Sequence, residues 1–205
     1  VNGRTAAMGM RVSAEDSILV RGKSIHGKND KVVLAYYKPV GVTCTERDRF
    51  ADKKITDMVK FPVRVTYAGR LDKDSEGLIL LTNDGELINA MMKGSAGHEK
   101  EYIVKVNKEI TADFLQQMRD GVFLKELKIK TRPCEIEQIG KFTYRIVLTQ
   151  GVNRQIRRMS KTLGYEVKEL KRIRIVNVEL ANLKKGEYRQ ILGAELQALY
   201  DAVYQ

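Results

Sequence analysis

The chain has 205 residues and carries 37 Lys and Arg against 26 Asp and Glu, a formal charge of +11. That length can bury a real core. Two distant cysteines outside any CxxC spacing give no disulfide scaffold and no cysteine-built zinc site, and no apolar run approaches the roughly 20 residues that span a bilayer. Val1 does not open a charged-then-apolar leader, so the expectation is a cytoplasmic protein without a membrane partner. The basic excess gathers late, in "NRQIRRMSKTLGYEVKELKRIRI". Such clustering reads as a polyanion footprint, against the blander alternative of a solubilising surface.

Along the chain, "VNGRTAAMGMRVSAEDSILVRGKSIHGKND" shows short apolar pairs and scattered glycines but no helix able to bury a face. It reads as the trailing part of a small module with a linker near Lys28 to Lys31. The main domain is expected to open with the strand and Pro-Gly turn of "KVVLAYYKPVG". Further strands are expected at "GLILLT", "EYIVKVN", "FTYRIVLT" and "RIRIVNVEL". Helical periodicity marks "NDGELINAMMKG", with Leu87, Ile88 and Met91 on one face and Gly94 as the stop. It also marks "TADFLQQMRDG", with Thr111 as N-cap, Phe114, Leu115 and Met118 as the stripe and Gly121 at the end. "GAELQALYDAVY" closes the chain in the same manner. The fold class expected is α+β, a mostly antiparallel mixed sheet with helices packed on it.

Between two of these strands lies "YAGRLDKDSEGLILLTN". Counted from Asp72, its carboxylates and glycine match positions 1, 3, 5 and 6 of a helix-loop-helix calcium site. Position 12 is Asn83, which offers no bidentate carboxylate, and the flanks are β-rich. What remains is a loop carrying Arg70 and Asp72 two residues apart, either a solvated turn or a site of chemistry. In the strand "KEYIVKV", Tyr102, Val104 and Val106 share a face, which suits a buried structural tyrosine or a functional one. In "GVNRQIRRMSKTLG", Asn153 is a candidate cap. Ile156, Met159 and Leu163 form the buried stripe, while Arg154, Arg158 and Lys161 form a basic one. Arg157 falls on the boundary, where it either snorkels to solvent or reaches inward to a carboxylate.

Together these segments resemble the pseudouridine synthases, in the branch that modifies ribosomal RNA and includes the RsuA, RluB, RluE and RluF enzymes. "GRLDKDSEG" is similar to the catalytic loop of that family, "KEYIVKV" to its tyrosine-bearing strand, "GVNRQIRRM" to its arginine motif and "YYKPVGV" to its opening Lys-Pro turn. Order and spacing agree over residues 31 to 190, and "QGVNRQIRRM…GYEVKELKRIRIVNV" is most similar to the RluF type. Residues 1–27 resemble the end of an S4-type RNA-binding domain and its linker, which leaves residues 28–205 for the catalytic domain.

The resemblance implies isomerisation of a uridine to pseudouridine in RNA. A 23S large-subunit stem-loop is the first expectation, and small-subunit or transfer RNA the alternative. It implies Asp72 as catalytic carboxylate, Arg157 as the partner that keeps it ionised, and Tyr102 against the uracil face. Arg70 would fill the place of a flipped nucleotide. Lys100, Arg154, Arg158 and Lys161 would contact phosphates, and Ile156 and Ile173 would floor the pocket unless both are ordinary core. No cofactor or metal is expected, because the reaction transfers no external group and changes no oxidation state. A monomer is expected. The rival from another class is a non-catalytic RNA-binding protein in which Asp72 is only a turn residue. The two differ in whether Asp72, Tyr102 and Arg157 meet in one cleft.

Overall fold

The computed structural model describes residues 1–13, 15–25, 31–45, 53–93 and 97–204. Contacts divide the chain into two units, Val1–Lys31 and Val32–Gln205. The expected boundary between residues 27 and 28 lies outside the described residues. In the first unit a short antiparallel ribbon pairs β1 (Ile18–Val20) with β2 (Lys23–Ile25). Its two turn residues, Arg21 and Gly22, both take positive φ, as a tight hairpin requires.

The second unit is built on a nine-stranded sheet. In chain order its strands and helices begin with β3 (Val33–Lys38), α1 (Ile55–Met58), β4 (Thr66–Tyr67), β5 (Glu76–Thr82), α2 (Gly85–Met92), β6 (Lys100–Val106) and α3 (Ala112–Arg119). A separate two-stranded ribbon follows, β7 (Phe123–Leu124) with β8 (Ile129–Lys130). The rest are β9 (Glu135–Gly140), β10 (Thr143–Leu148), α4 (Gln155–Thr162), β11 (Val167–Ile175), β12 (Val178–Glu179), β13 (Tyr188–Gln190) and α5 (Gly193–Val203). The strand order is β13-β3-β5-β11-β6-β10-β9, with β4 on β5 and β12 on β11. Every described pairing in the sheet is antiparallel except β5 with β11. The sheet is thus mixed and mostly antiparallel, as expected.

Alternation along the central strands explains why both faces are covered. Leu34, Tyr36, Ile79 and Leu81 point into one apolar cluster with Phe114 and Met118 of α3 and Ile156 and Met159 of α4. Val33, Ala35, Tyr37, Leu78 and Leu80 point into a second with Leu87 and Met91 of α2 and Leu199 and Val203 of α5. A strand buried on both sides must read as a continuous apolar run, which is what "GLILLT" is.

The helix ends follow local chemistry. Thr111 caps α3 by accepting from the Phe114 N–H at 3.1 Å, and Gly121 beyond its end has φ +83°. Asp84 caps α2 by accepting from the N–H groups of Glu86 and Leu87. Gly94, the expected stop of that helix, lies outside the described residues. At α4 the expectation needs correction, because the cap is Arg154 and not Asn153. Arg154 takes a left-handed φ of 53°, and the Gln155 carbonyl oxygen of the side chain accepts from the Val152 N–H at 3.3 Å, folding the preceding turn back onto the helix.

Candidate active site

The loop from Ala68 to Ser75 joins β4 to β5. Gly69 turns it with φ +99°, and the Ser75 N–H closes it onto the Asp72 carbonyl at 3.1 Å. The turn after β3 buttresses it from outside: Gly41 N–H donates to the Lys73 carbonyl at 2.8 Å. Lys38, fully buried, donates to the carbonyls of Pro39 and Val42, both at 2.9 Å, and so holds that turn in shape. Asn83, the residue that breaks the calcium pattern, instead accepts from the Val32 N–H at 2.8 Å at the start of the domain. Among the described residues no group of His, Cys, Asp and Glu gathers as a metal would need.

In front of this loop is a cleft of about 480 Å³. Arg70, Asp72, Lys100, Tyr102, Arg154, Ile156 and Arg157 all line it. Asp72, Tyr102 and Arg157 come from a loop, a central strand and a helix, and the sheet order is what brings them together. Tyr102 is 9% exposed, and its Cα partners are Ile146 on β10 and Arg172 on β11.

The pairing of charges differs from the expected Asp72–Arg157 contact. Arg157 donates to the Asp74 carbonyl at 2.8 Å, to Ser75 Oγ at 3.2 Å and to the Val167 carbonyl at 3.2 Å, and its Nε stands 3.4 Å from Asp74 Oδ2. Arg154 donates twice to Asp74, at 3.0 and 2.8 Å, and lies 3.5 Å from Asp72 Oδ2. The Arg154 hydrogen bonds, with the charge of Arg157 behind them, hold the Asp74 carboxyl below the usual carboxylate range against the opposing cost of burial. Asp74 thus engages both arginines, and the Asp72 carboxylate faces the cleft with Arg154 at its edge.

Three expected residues stand elsewhere. Arg158 turns away from the cleft, donating to the Asn153 carbonyl at 3.1 Å and pairing with Glu126. Lys161 is on the exposed side of α4. Ile173 does not line the cleft: it is out of step with Leu170 and Arg172, which do, and it stands where the β6–β11 register slips between Arg172 and Arg174. Leu170, Arg172 and Ile175 of the same strand line the cleft instead.

Sequence reasoning missed Arg172, which is 3% exposed. Its Nε donates to the Leu78 carbonyl at 2.7 Å and its Nη1 to the Arg70 carbonyl at 3.3 Å, so it ties both β5 and the Asp72 loop to β11. The signal was present: in "ELKRI" the arginine falls two residues after Leu170, on the apolar register of the strand. His98 was also missed. It lines the cleft 8% exposed, and burial pushes its imidazole down from the ordinary range.

This fold and this site define an RNA-modifying isomerase. The family model "RNA pseudouridylate synthase" matches residues 32–162, and the chain belongs to that family. It is 43% identical over 99% of its length, and 70% of theirs, to the "Dual-specificity RNA pseudouridine synthase RluF" of Salmonella typhi and of Escherichia coli K12. It is 33% identical to the "Ribosomal large subunit pseudouridine synthase B" of Bacillus subtilis, over 97% of this chain and 84% of that one. Among solved structures, a pseudouridylate synthase superposes with a TM-score of 0.78 at 27% identity, covering 97% of this chain and 86% of the other. The protein is therefore a pseudouridine synthase. Among the described residues no helix is long and apolar enough to cross a membrane.

Proposed function

We propose that the protein converts a specific uridine of 23S large-subunit ribosomal RNA to pseudouridine. The observation that carries this reading is the meeting of Asp72, Tyr102 and Arg157 in one cleft, which a binding module has no reason to assemble. The similarity to RluF and to a large-subunit synthase supports the choice of RNA.

The reaction breaks the N1–C1′ bond, turns the uracil and joins C5 to C1′; atoms and oxidation level are conserved. Asp72 is the catalytic carboxylate toward the nucleotide, in the cleft beside the Tyr102 ring. Tyr102 packs on the uracil face, and Ile156, 4% exposed, supplies an apolar neighbour. Arg157 acts on Asp72 indirectly, by fixing Asp74 and Ser75 and so the shape of the loop. The reacting atoms of a uridine are covered while it is stacked, so the target leaves its stack, and Arg70, exposed at the rim, takes its place. Arg154, Arg158 and Lys161 provide positive charge for the phosphates. Residues 1–27 act as part of an S4-type RNA-binding module, and the enzyme works as a cytoplasmic monomer.

The test is direct. Purified protein is incubated with transcribed 23S and transfer RNA, and pseudouridine is located at single-nucleotide resolution. Modification confined to one or a few uridines is expected; RNA left without pseudouridine would overturn the reading.

A further inference from the structure

Three cations at this site have no carboxylate partner among the described residues. Arg172 donates only to the carbonyls of Leu78 and Arg70, and its Nη2 is buried with no partner at all. Lys100 donates to the His98 carbonyl at 2.9 Å. Lys38 donates to the carbonyls of Pro39 and Val42. The carboxylates nearby are already matched, Asp74 by Arg154 and Arg157 and Asp72 by Arg154. Burying unpaired positive charge is costly, and a fold keeps such a cost where a function uses it. Burial pushes both lysines down to about 8, and the charge of Arg172 adds to it in each; Cys44, Asp72 and Asp74 oppose it at Lys38, so the positive potential centres on Arg172 and Lys100.

Their placement says what that potential acts on. Arg172 and Tyr102 are Cα partners on adjacent antiparallel strands, so their side chains stand side by side on one sheet face, and both line the cleft. Lys100 lies two residues before Tyr102 on the same strand and lines the cleft as well. A phosphate keeps its full charge in solvent and docks on exposed cations; Arg172 at 3% and Lys38 at 0% exposure are closed to it. Charge that arises inside the pocket is what such groups meet.

We infer that Arg172 and Lys100, with Lys38 behind them, stabilise the negative charge that the uracil ring takes on when its N1–C1′ bond breaks. The inference rests on the proposed function. Whichever atom Asp72 engages, the electron pair of that bond stays with the ring, giving a uracil anion with charge on N1, O2 and O4. The ribose deficit is met by Asp72, through a C1′–O bond or by uptake of the 2′ proton. When C5 then bonds to C1′, the carboxylate is released or returns its proton, N1 gains a proton and C5 loses one. The cations are preorganised for the charged intermediate and are not used by the neutral uridine, which is the condition for lowering a barrier.

The experiment compares the two bases. Synthetic RNA stem-loops carry either uridine or 5-fluorouridine at the mapped target, and single-turnover loss of that nucleoside is timed at saturating enzyme. Fluorine makes the ring the more acidic leaving group, so it needs less help. Arg172→Gln should slow uridine about 100-fold and 5-fluorouridine at least about tenfold less than that. Lys100→Met, which disturbs one backbone contact only, should show the same inequality and decides the matter if Arg172→Gln fails to fold. Equal slowing of both bases by Lys100→Met, or by a folded Arg172→Gln, would overturn the inference and point to structure or phosphate binding. A parent enzyme that forms no pseudouridine in any RNA would overturn the proposed function along with it.

Discussion

Arg157 of α4 closes on Asp74 of the Asp72 loop: the guanidinium donates to the Asp74 carbonyl at 2.8 Å while its Nε stands 3.4 Å from the Asp74 carboxylate. Asp74 therefore takes the contacts of Arg157 and both prongs of the Arg154 fork, and leaves Asp72 only a longer 3.5 Å approach from Arg154. In Asp74→Asn the Arg154 fork loses its carboxylate, and the neighbouring carboxylate of Asp72 becomes its next partner. Turnover should fall about tenfold or more, which is the size of a lost charge-assisted contact. Stability should change little, because a half-exposed ion pair contributes about 0–1 kcal/mol. Single-turnover kinetics and a thermal melt check both; parent-like turnover would show that Arg154 does not compete for Asp72.

Gly77 and Arg172 make the tightest backbone approach at the site. Gly77 has φ +117°, and a Cβ there would lie 2.2 Å from the Arg172 carbonyl oxygen. Neither atom can swing aside, since the two residues pair across the parallel β5–β11 junction. Gly77→Ala should cost about 3 kcal/mol, or roughly 6–12 °C in a domain of this size. A urea titration measures it, and a loss below about 1 kcal/mol would contradict the close approach.

Lys100 sets a pH dependence. Burial, with the charge of Arg172 adding to it, brings its ammonium from 10.5 down to about 8. If its charge assists the reaction, the rate should fall as pH rises through about 8, and Lys100→Arg, which stays charged, should hold the rate level to higher pH. Stability moves the other way. Between about 8 and 10.5 the unfolded chain keeps a proton that the folded one has lost, so raising the pH favours the fold in this window. The parent should therefore gain on Lys100→Arg in alkaline melts. Parallel profiles for the two proteins would refute the assignment.

Arg70 lies exposed at the cleft rim, two residues before Asp72. Arg70→Ala should be slowed strongly on a stem-loop whose target uridine is stacked, and should recover much of its rate when that uridine is already bulged. The bulge has supplied the unstacking, which costs a few kcal/mol. An equal loss on both RNAs would place Arg70 in the chemical step.

The sheet and the helices that flank it were legible because their signals are local: alternation in "KEYIVKV", a continuous run in "GLILLT", Thr111 as cap. The cleft was legible through motifs, and Asp72, Tyr102 and Arg157 do line it together. The partner of each charge was not legible, because Arg154, Arg157, Asp72 and Asp74 lie within a few ångströms, where a single turn decides the pairing. A left-handed φ at Arg154 starts α4 one residue later than a capping Asn153 would, and Arg154 then reaches both carboxylates. Ile173, expected through the resemblance to floor the pocket, stands instead at a slip in the β6–β11 register, which a motif match does not reveal.

The central claim is that Asp72 carries the chemistry, and one measurement meets it most directly. Cells lacking the protein are supplied with the parent or with Asp72→Asn, and pseudouridine is mapped across their 23S ribosomal and transfer RNA at single-nucleotide resolution. The parent should restore modification at every uridine that the deletion strips. Asp72→Asn, expressed to the same level and melting within a few degrees of the parent, should restore none. Modification returned by Asp72→Asn would contradict the account.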